Sequence, residues 1–152
     1  MSTKVALITG AAQRIGAAIA RKLHANGYHV VIHYNHSRDA ASDLALELNQ
    51  QRANSAYCIQ ADLTDIAVID GLVSQIIEKS SRLDVLINNA STFFPTEVGD
   101  ITPSQVTNLF ATNMIAPLFL SQACAPYLKK TNGCIINMCD IHGKKPLSSH
   151  TV

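Results

Sequence analysis

The sequence predicts an α/β fold built on a doubly wound parallel sheet. Three observations support this: short apolar runs recur along the chain, helix-length segments separate them, and a glycine loop follows the first run. Strands separated by helices pair in parallel through right-handed crossovers, with helices on both faces and a ligand crevice at the carboxyl ends. The hydrophobic fraction of 47% and the charged fraction of 15% agree with such a buried sheet. The predicted strands are residues 4–9, 29–34, 56–60, 85–88 and 134–138.

The first strand leads directly into a glycine loop that opens a helix. Gly10 lets the backbone turn sharply, and Gly16 lets the helix pack closely on the strand. The N–H groups of the first helical turn then face a pyrophosphate. A tight strand-to-helix turn without a ligand is the alternative, because a glycine pair by itself is a weak signal. The pattern favours a dinucleotide site.

The spacing of apolar residues predicts a helix after each of the first three strands. In the first helix Ile15, Ile19 and Leu23 recur every four residues, and an Asn-Gly pair at 26–27 supplies a stop signal. Thr64 is placed to cap the third helix. The apolar stripes of the second and third helices consist of Leu44, Leu48, Ile69, Leu72, Val73, Ile76 and Ile77.

Residues 101–128 carry no charge, yet they do not resemble a membrane span. Polar side chains are too frequent for a lipid-facing helix, and Pro117 and Pro126 interrupt the segment. We predict a long helix from about Pro103 to Leu128 that is broken or kinked near Pro117. Its neutral surface suits contact with another subunit.

The composition limits the classes of molecule that the chain is expected to bind. The net charge of +1 offers little attraction for nucleic acid or an anionic membrane, so a small molecule is the expected partner. Lys4 leads straight into the first strand without an apolar signal segment. The cysteines form no CxxC pair, which indicates reduced core residues of a cytoplasmic protein, and no metal site is predicted. The cysteines are Cys58, Cys124, Cys134 and Cys139.

Hydrogen-bond donors follow the second strand. A carboxylate at this place would accept the ribose hydroxyls of NAD, and the sequence has none there. Donors suit a phosphate, and the guanidinium of Arg14 can reach the same phosphate or the pyrophosphate. The alternative is a set of solvated loop residues. The donors are Asn35, His36, Ser37 and nearby Arg38.

Polar residues also end the next two strands. Asp62 follows the third strand, where it is either a ligand contact or a turn residue. Asn88 and Asn89 end a buried strand although asparagine is a poor strand former, so we expect them to make hydrogen bonds at the crevice. His24 and His29 are expected to be surface or strand-edge residues without a role.

Two residues near the carboxyl ends are candidates for contact with a substrate. Phe93 lies in a loop rather than at core spacing, although a loop aromatic can also pack inward. Asp140 ends the fifth strand, where burial and nearby donors can tune its pKa for proton donation. Its alternative role is to cap the loop at 141–143.

Five motifs occur in a characteristic order, and in this order the whole chain resembles the short-chain dehydrogenase/reductase family. Within it the chain is most similar to the pteridine reductases, which have an arginine in place of the middle glycine, as Arg14 does here. The Phe-Phe-Pro loop after the fourth strand and Asp140 in place of serine strengthen the likeness. The motifs are Thr9-Gly10-x-x-x-Arg14-x-Gly16, Asp62-Leu63, Asn88-Asn89-Ala90, Asn113, and Ile136-Asn137-Met138-Cys139-Asp140.

This resemblance implies a Rossmann-like domain of a homotetrameric enzyme that transfers hydride from NADPH to a pterin or a folate-like molecule. Phe93 would stack the pterin on the nicotinamide, Asp140 would protonate a ring nitrogen, and Ser91 would bond to substrate or cofactor. Asn113, the second catalytic residue implied, would bind its helix backbone and a water of the proton relay. The implied cofactor-binding residues are Gly10, Arg14, Ile15, Gly16, Tyr34, Asn35, His36, Ser37, Asp62, Leu63, Asn89, Ala90, Ser91 and Met138.

The chain departs from the family pattern in one respect. The family's catalytic tyrosine and lysine lie four residues apart, and no Tyr-x-x-x-Lys occurs in the 152 residues. We therefore expect residues 1–152 to form a single domain that lacks the C-terminal end of the fold, the N-terminal portion of a longer domain, with weak catalysis by itself. The alternatives are another short-chain carbonyl reductase, or a truncated chain that binds NADP or a partner subunit without catalysis.

Overall fold

The strands form the predicted parallel sheet. The computed structural model describes residues 3–152. Within that range the strands are β1 Val5–Ile8, β2 His29–Tyr34, β3 Ala56–Gln60, β4 Val85–Asn88 and β5 Cys134–Asn137. They lie in the order β3-β2-β1-β4-β5, and every neighbouring pair is parallel. This is a doubly wound order, so the predicted fold class is confirmed.

Helices cover both faces of the sheet. Leu7 of β1 packs with α3 and α5 on one face, and its neighbour Ile8 packs with α1 and α2 on the other. Successive strand residues point to opposite faces, so each of β1 to β4 contributes to both cores. The helices are α1 Arg14–Ala25, α2 Arg38–Gln51, α3 Ile69–Ser80, α4 Pro103–Phe110 and α5 Ala116–Thr131.

The buried face of α1 differs from the predicted one. Ile15 is 60% exposed, and Ile19 and Leu23 are only partly buried. The residues that pack on the sheet are small, with Ala17 and Ala20 buried. Small side chains allow the helix to approach the sheet closely, and this close packing decides the buried face more than the four-residue spacing does.

Thr64 does not cap α3, contrary to prediction. A short 3-10 turn, Ile66–Val68, precedes α3, and Asp65 caps that turn. Thr64 instead donates its N–H and its hydroxyl to Asp62. The predicted apolar stripe of α3 is buried, which confirms the helix itself.

The predicted break in the long helix is confirmed, and it takes the form of a π turn. The turn, Ala111–Ile115, joins α4 to α5, and the N–H of Ala116 donates to a carbonyl five residues earlier. Pro117 follows immediately and has no N–H for the carbonyl of Asn113, so the regular ladder is interrupted here. No helix in the described residues 3–152 combines the length and apolar character needed to span a membrane.

The prediction that His24 lies at the surface is wrong. His24 lies on the buried side of α1, and its Nε2 lies 2.6 Å from the hydroxyl oxygen of Ser55. The Ser55 hydroxyl in turn donates to the carbonyl of Arg52. A buried imidazole needs such partners, and they come from a segment about thirty residues away, which spacing along α1 does not reveal. His29 is half-buried at the start of β2.

The last strand and two of the cysteines are more exposed than expected. Cys124 is buried and Cys58 is half-buried, but Cys134 and Cys139 are exposed, so the prediction of core cysteines is wrong for these two. Within residues 3–152, β5 pairs with β4 on one side only, and each of its residues is exposed. The other edge strand, β3, keeps Ala56 and Ile59 buried, so an edge position alone does not expose a strand. Among the helices in residues 3–152, mainly α5 contacts β5, and this leaves the strand largely uncovered.

Candidate functional site

A cleft of about 630 Å³ lies where the loops after β1, β2, β3 and β4 meet. β1 stands between β2 and β4, so the strand order reverses beside it. In open α/β sheets, ligands bind at such a reversal, outside the carboxyl ends of the strands. Of the predicted cofactor-binding residues, every one except Met138 lines this cleft.

The glycine loop has the geometry predicted for it. Gly10 has a φ of +59°, a left-handed conformation that glycine adopts without strain. A Cβ on Gly16 would lie 2.7 Å from Asn89 Nδ2 and 2.8 Å from Ala11 Cα, and it would also collide with the carbonyl oxygen of Gly10. The start of α1 therefore packs directly on the loop, and no larger residue fits at Gly16.

Thr9 and Asn89 tie the glycine loop to the end of β4. The hydroxyl oxygen of Thr9 accepts the N–H groups of Asn89 and Ala90, each at 2.9 Å. Asn89 Nδ2 donates to the carbonyls of Thr9 at 2.9 Å and Gly10 at 3.1 Å. The expected hydrogen bonds at the crevice are thus present, and they join two loops of the cleft to each other.

Arg14 begins α1 in a strained backbone conformation. Its φ is +53°, in the left-handed region where a side chain other than glycine costs roughly 1–2 kcal/mol. Its side chain lines the cleft. Strain of this kind persists where the surrounding structure enforces it, and it clusters at functional sites.

The donors after β2 lie on the rim of the cleft. Asn35, His36 and Ser37 line it, whereas Arg38 begins α2 outside the lining. Ser37 is the N-cap residue of α2, and within residues 3–152 its side chain makes no capping hydrogen bond. The Ser37 hydroxyl is therefore not used for capping, and α2 begins at the rim of the cleft.

Asp62 is a turn residue, which is one of the two roles that the sequence allowed for it. Its Oδ1 accepts the N–H of Thr64 at 3.0 Å and the Thr64 hydroxyl at 2.8 Å. These bonds, with the charge of His36 and an amide of Asn35, hold the pKa of Asp62 below its usual value. Because Asp62 and Leu63 also line the cleft, the turn fixes an ionised carboxylate at its wall.

Sequence reasoning missed several cleft residues. The predicted site residues did not include His33, Thr92, Asn108 and Thr112, which line the cleft. His33 is the penultimate residue of β2 and is 2% exposed. Its position two residues before the first rim donor, Asn35, was the available signal, although alternation along the strand marks it equally well as a core residue.

Asn113 binds a loop rather than its own helix, which corrects the expectation for its side chain. Oδ1 accepts the N–H of Thr92 at 2.9 Å, and Nδ2 donates to the Thr92 carbonyl at 2.8 Å. The π turn places Asn113 at the irregular point of the helix, opposite the loop that follows β4. Asn113 thereby fixes the backbone of the loop that carries Ser91 and Phe93.

The segment near Val152 folds back onto this same loop. Thr96 is buried, and its hydroxyl oxygen accepts the N–H groups of Thr151 at 2.9 Å and Val152 at 3.0 Å. Phe93 is 59% exposed, and its ring stacks on the imidazole of His150. The Phe93 ring is therefore held at the surface and does not pack into the core.

Asp140 takes the capping role that was its alternative interpretation. Its Oδ1 accepts the N–H of His142 at 2.9 Å at the start of the 3-10 turn Ile141–Gly143. The expectation that burial tunes Asp140 is wrong, because the residue is exposed beside the exposed strand β5. Met138 donates its N–H to the carbonyl of Asn88, and its side chain is also exposed.

Comparison with known proteins places the chain in a family. The sequence profile described as short chain dehydrogenase matches residues 4–152. The chain belongs to the short-chain dehydrogenase family. It is 39% identical to Pteridine reductase 1 from Leishmania tarentolae, over 97% of this chain and 64% of that protein. It is 32% identical to versicolorin reductase stcU from Emericella nidulans, over 98% of this chain and 56% of that protein.

A third short-chain dehydrogenase relative is galactitol 2-dehydrogenase from Agrobacterium fabrum, which is 32% identical over 95% of this chain and 56% of that protein. The chain thus spans about six-tenths of the length of these curated relatives. The predicted family is confirmed, including the similarity to a pteridine reductase. Within residues 3–152, no cluster of three or more His, Cys, Asp or Glu side chains has the arrangement to hold a metal ion.

Proposed function

We propose that this short-chain dehydrogenase binds NADPH in the cleft and reduces pterins, with folate-like molecules as further substrates. The chemistry of the cleft rim carries the proposal. Asn35, His36 and Ser37 follow β2 with donors, and no carboxylate stands among them. A carboxylate there binds the ribose hydroxyls of NAD, whereas donors and a positive charge favour the 2′-phosphate of NADPH.

The cleft residues fit this cofactor. The close packing at Gly16 leaves the N-terminus of α1 open to a pyrophosphate, and the guanidinium of Arg14 adds a forked donor. Asp62 and Leu63 would hold the adenine, and Ala90 and Ser91 would contact the cofactor on the other side of the glycine loop. When bound, NADPH supplies a hydride.

The loop after β4 supplies the substrate side of the proposed reaction. The exposed ring of Phe93 would stack a flat pterin, which fixes both the face and the distance for transfer. Asp140 would give a proton to a pterin nitrogen. The carbonyl of Asn113, to which Pro117 has no N–H to donate, would be a place for a relay water.

One alternative keeps the family and changes the substrate. Versicolorin reductase stcU and galactitol 2-dehydrogenase match nearly the whole chain, so a carbonyl or polyol substrate is the second candidate. In that case Asp140 only caps its turn. Binding of NADP without turnover is the third candidate.

We also infer a homo-oligomer, with a tetramer as the expected form, in the cytoplasm. Phe110, Met114 and Leu118 are all exposed, and they recur every four residues along the uncharged helical segment. An exposed apolar stripe of this kind is typical of a subunit interface. Sedimentation of the wild-type protein and of Leu118→Glu tests this: the variant should dissociate, and an unchanged assembly would contradict the interface.

The test of the proposed function combines binding and turnover in the longest form of the protein that the gene encodes. NADPH and NADH are titrated by fluorescence, and dihydropterin, dihydrofolate and simple ketones are then compared as substrates. We expect tighter binding of NADPH and turnover of the pterins. Preference for a ketone supports the second candidate, and binding without turnover supports the third.

A further inference from the structure

His33 is a buried histidine that the proposed reaction does not use. It is 2% exposed, and both of its ring nitrogens have partners. Nδ1 accepts the N–H of Gly10 at 3.2 Å, and Nε2 lies 3.1 Å from the carbonyl oxygen of Ala61. Its backbone carbonyl also accepts the N–H of Ala11 at 2.8 Å. One residue of β2 therefore contacts the loops that follow β1 and β3.

These partners fix the tautomer of the imidazole. A carbonyl only accepts, so Nε2 carries the proton toward Ala61, and Nδ1 is left as the acceptor for Gly10. Burial lowers the pKa of His33 to about 4, while the Ala61 carbonyl and the charge of Asp62 oppose that shift. The ring is neutral at physiological pH, as this pair of bonds requires.

The bond to Gly10 matters because the loop has little freedom elsewhere. Gly16 packs against the Gly10 carbonyl, and Asn89 holds the same carbonyl from the β4 side. If the Gly10 N–H loses its acceptor, a partly buried donor loses its protein partner, and the loop is free to shift toward another. A shift of Gly10 displaces the start of α1, which lines the cleft at Arg14 and Gly16.

We propose that His33 is a positioning residue for the dinucleotide. Its neutral imidazole, with its tautomer fixed by the bond to Ala61, accepts the Gly10 N–H and holds the glycine loop in place before the cofactor binds. The proposal rests on the proposed binding of NADPH. It assigns His33 no contact with the reacting atoms.

Two substitutions separate the two bonds. In His33→Asn, Oδ1 takes the place of Nδ1 and still accepts the Gly10 N–H, but the bond to Ala61 is lost. In His33→Gln, the longer side chain carries an amide N–H to the Ala61 carbonyl and leaves Gly10 without its acceptor. Each variant loses one hydrogen bond of the imidazole, and the bond to Ala61 is buried whereas the bond to Gly10 is partly buried. A purely structural role therefore predicts that His33→Asn, which loses the buried bond, is affected at least as much as His33→Gln in stability and in binding.

The experiment compares both variants with the wild type by NADPH titration, thermal unfolding and hydrogen exchange of the Gly10 amide without ligand. We expect His33→Gln to raise the Kd for NADPH about tenfold and to speed Gly10 exchange, as loss of the hydrogen bond that holds the loop implies. His33→Asn should stay within about twofold of the wild type in both readouts, because the loop bond is kept. The two variants should unfold at similar temperatures.

Equal weakening of NADPH binding in both variants, or normal binding by His33→Gln, overturns the positioning role. If the wild type itself does not bind NADPH, the cofactor assignment fails and the proposal falls with it, which is a different outcome. A measurement without variants covers the case in which His33→Gln does not fold. The ¹⁵N spectrum of the wild type should show an unprotonated Nδ1 at neutral pH, and a protonated Nδ1 overturns the proposal.

Discussion

The ring of Phe93 stacks on the imidazole of His150, with ring centroids 4.5 Å apart and planes inclined by 12°. Phe93 follows β4, while His150 belongs to the segment that Thr96 holds through the Thr151 and Val152 N–H groups. The stack therefore orients an aromatic ring that is otherwise exposed. It makes the pose of Phe93 depend on a residue more than fifty positions away in the sequence.

We predict that Phe93→Ala raises the KM for a pterin substrate about fivefold, because a stacking contact contributes on the order of 1 kcal/mol beyond buried area. The Kd for NADPH should change by less than about twofold, since Phe93 lies outside the cofactor cleft. Phe93→Leu keeps apolar bulk without a flat ring and is the matched control. Normal kinetics with a lowered melting temperature would show that Phe93 is only a packing residue.

The stack itself is tested by a double-mutant cycle. His150→Ala should raise the same KM by a smaller factor, because the Phe93 ring remains but loses its support. In the double variant with Phe93→Ala, His150→Ala should add almost nothing, since residues that act through one contact are not additive. Additive effects would indicate that His150 contacts the substrate independently.

Substitutions at Arg14 separate the effect of its strained backbone on stability from the effect of its guanidinium on NADPH binding. Its φ of +53° predicts that Arg14→Gly unfolds at a higher temperature than Arg14→Ala, with a difference of about 1 kcal/mol, because only glycine relieves the left-handed strain. Both variants should weaken NADPH binding about tenfold or more through loss of the guanidinium. Thermal unfolding and fluorescence titration measure the two effects. If both variants bind NADPH normally, Arg14 does not contact the cofactor.

His36 should distinguish the two nicotinamide cofactors. We predict that His36→Ala weakens NADPH binding about tenfold, as expected for one lost bond to a charged phosphate, and leaves NADH nearly unchanged. Lys22→Ala removes a charge in the last turn of α1, away from the cleft, and serves as the control. Parallel titrations with both cofactors give the ratio of the Kd for NADPH to the Kd for NADH. Equal loss for NADPH and NADH would remove the phosphate assignment.

Substitutions at Asp140 distinguish the proposed pterin substrates from the alternative carbonyl substrates. Asp140→Asn keeps the acceptor for the His142 N–H, so the 3-10 turn and the melting temperature should be preserved. If the residue donates a proton, pterin turnover falls about 10²-fold or more in the longest form that the gene encodes. Asp140→Ser should favour carbonyl substrates relative to pterins. Near-normal pterin turnover in Asp140→Asn would show that Asp140 only caps the 3-10 turn.

The folded state should lose stability in mild acid because of His33. Its pKa is lowered to about 4 in the folded protein, so between that value and the ordinary value of 6.5 the unfolded chain binds more protons. Stability is therefore fully present above pH 6.5 and falls as the pH drops toward 4, by about 3 kcal/mol from this residue. Denaturant unfolding at several pH values measures the slope.

His33→Asn is the control for that slope, because asparagine does not titrate. The variant should lose less stability than the wild type across the same pH interval. A remaining slope is expected, since burial also lowers the pKa of His24 and of His29. Identical slopes for both proteins would show that His33 does not carry the acid sensitivity.

Much of the fold was predictable because its signals are local. The strand bounds follow from apolar runs, and the glycine loop follows from the spacing of Gly10 and Gly16, where backbone conformation and close packing admit no larger residue. The break before Pro117 follows from a missing N–H. Each of these features depends on a few neighbouring residues, and this is why a doubly wound parallel sheet with a cleft at the carboxyl ends of its strands could be predicted from the sequence. The strand order came from the structure.

Which polar side chains contact each other depends on the tertiary fold. Thr9 meets Asn89, His33 meets Gly10, and Asn113 meets Thr92 because strands far apart in sequence end at one edge of the sheet. A hydrogen bond depends on distance and direction in space, and periodicity along one chain segment reports neither. For the same reason the stack of Phe93 and the exposure of Asp140 could be read only from the folded chain.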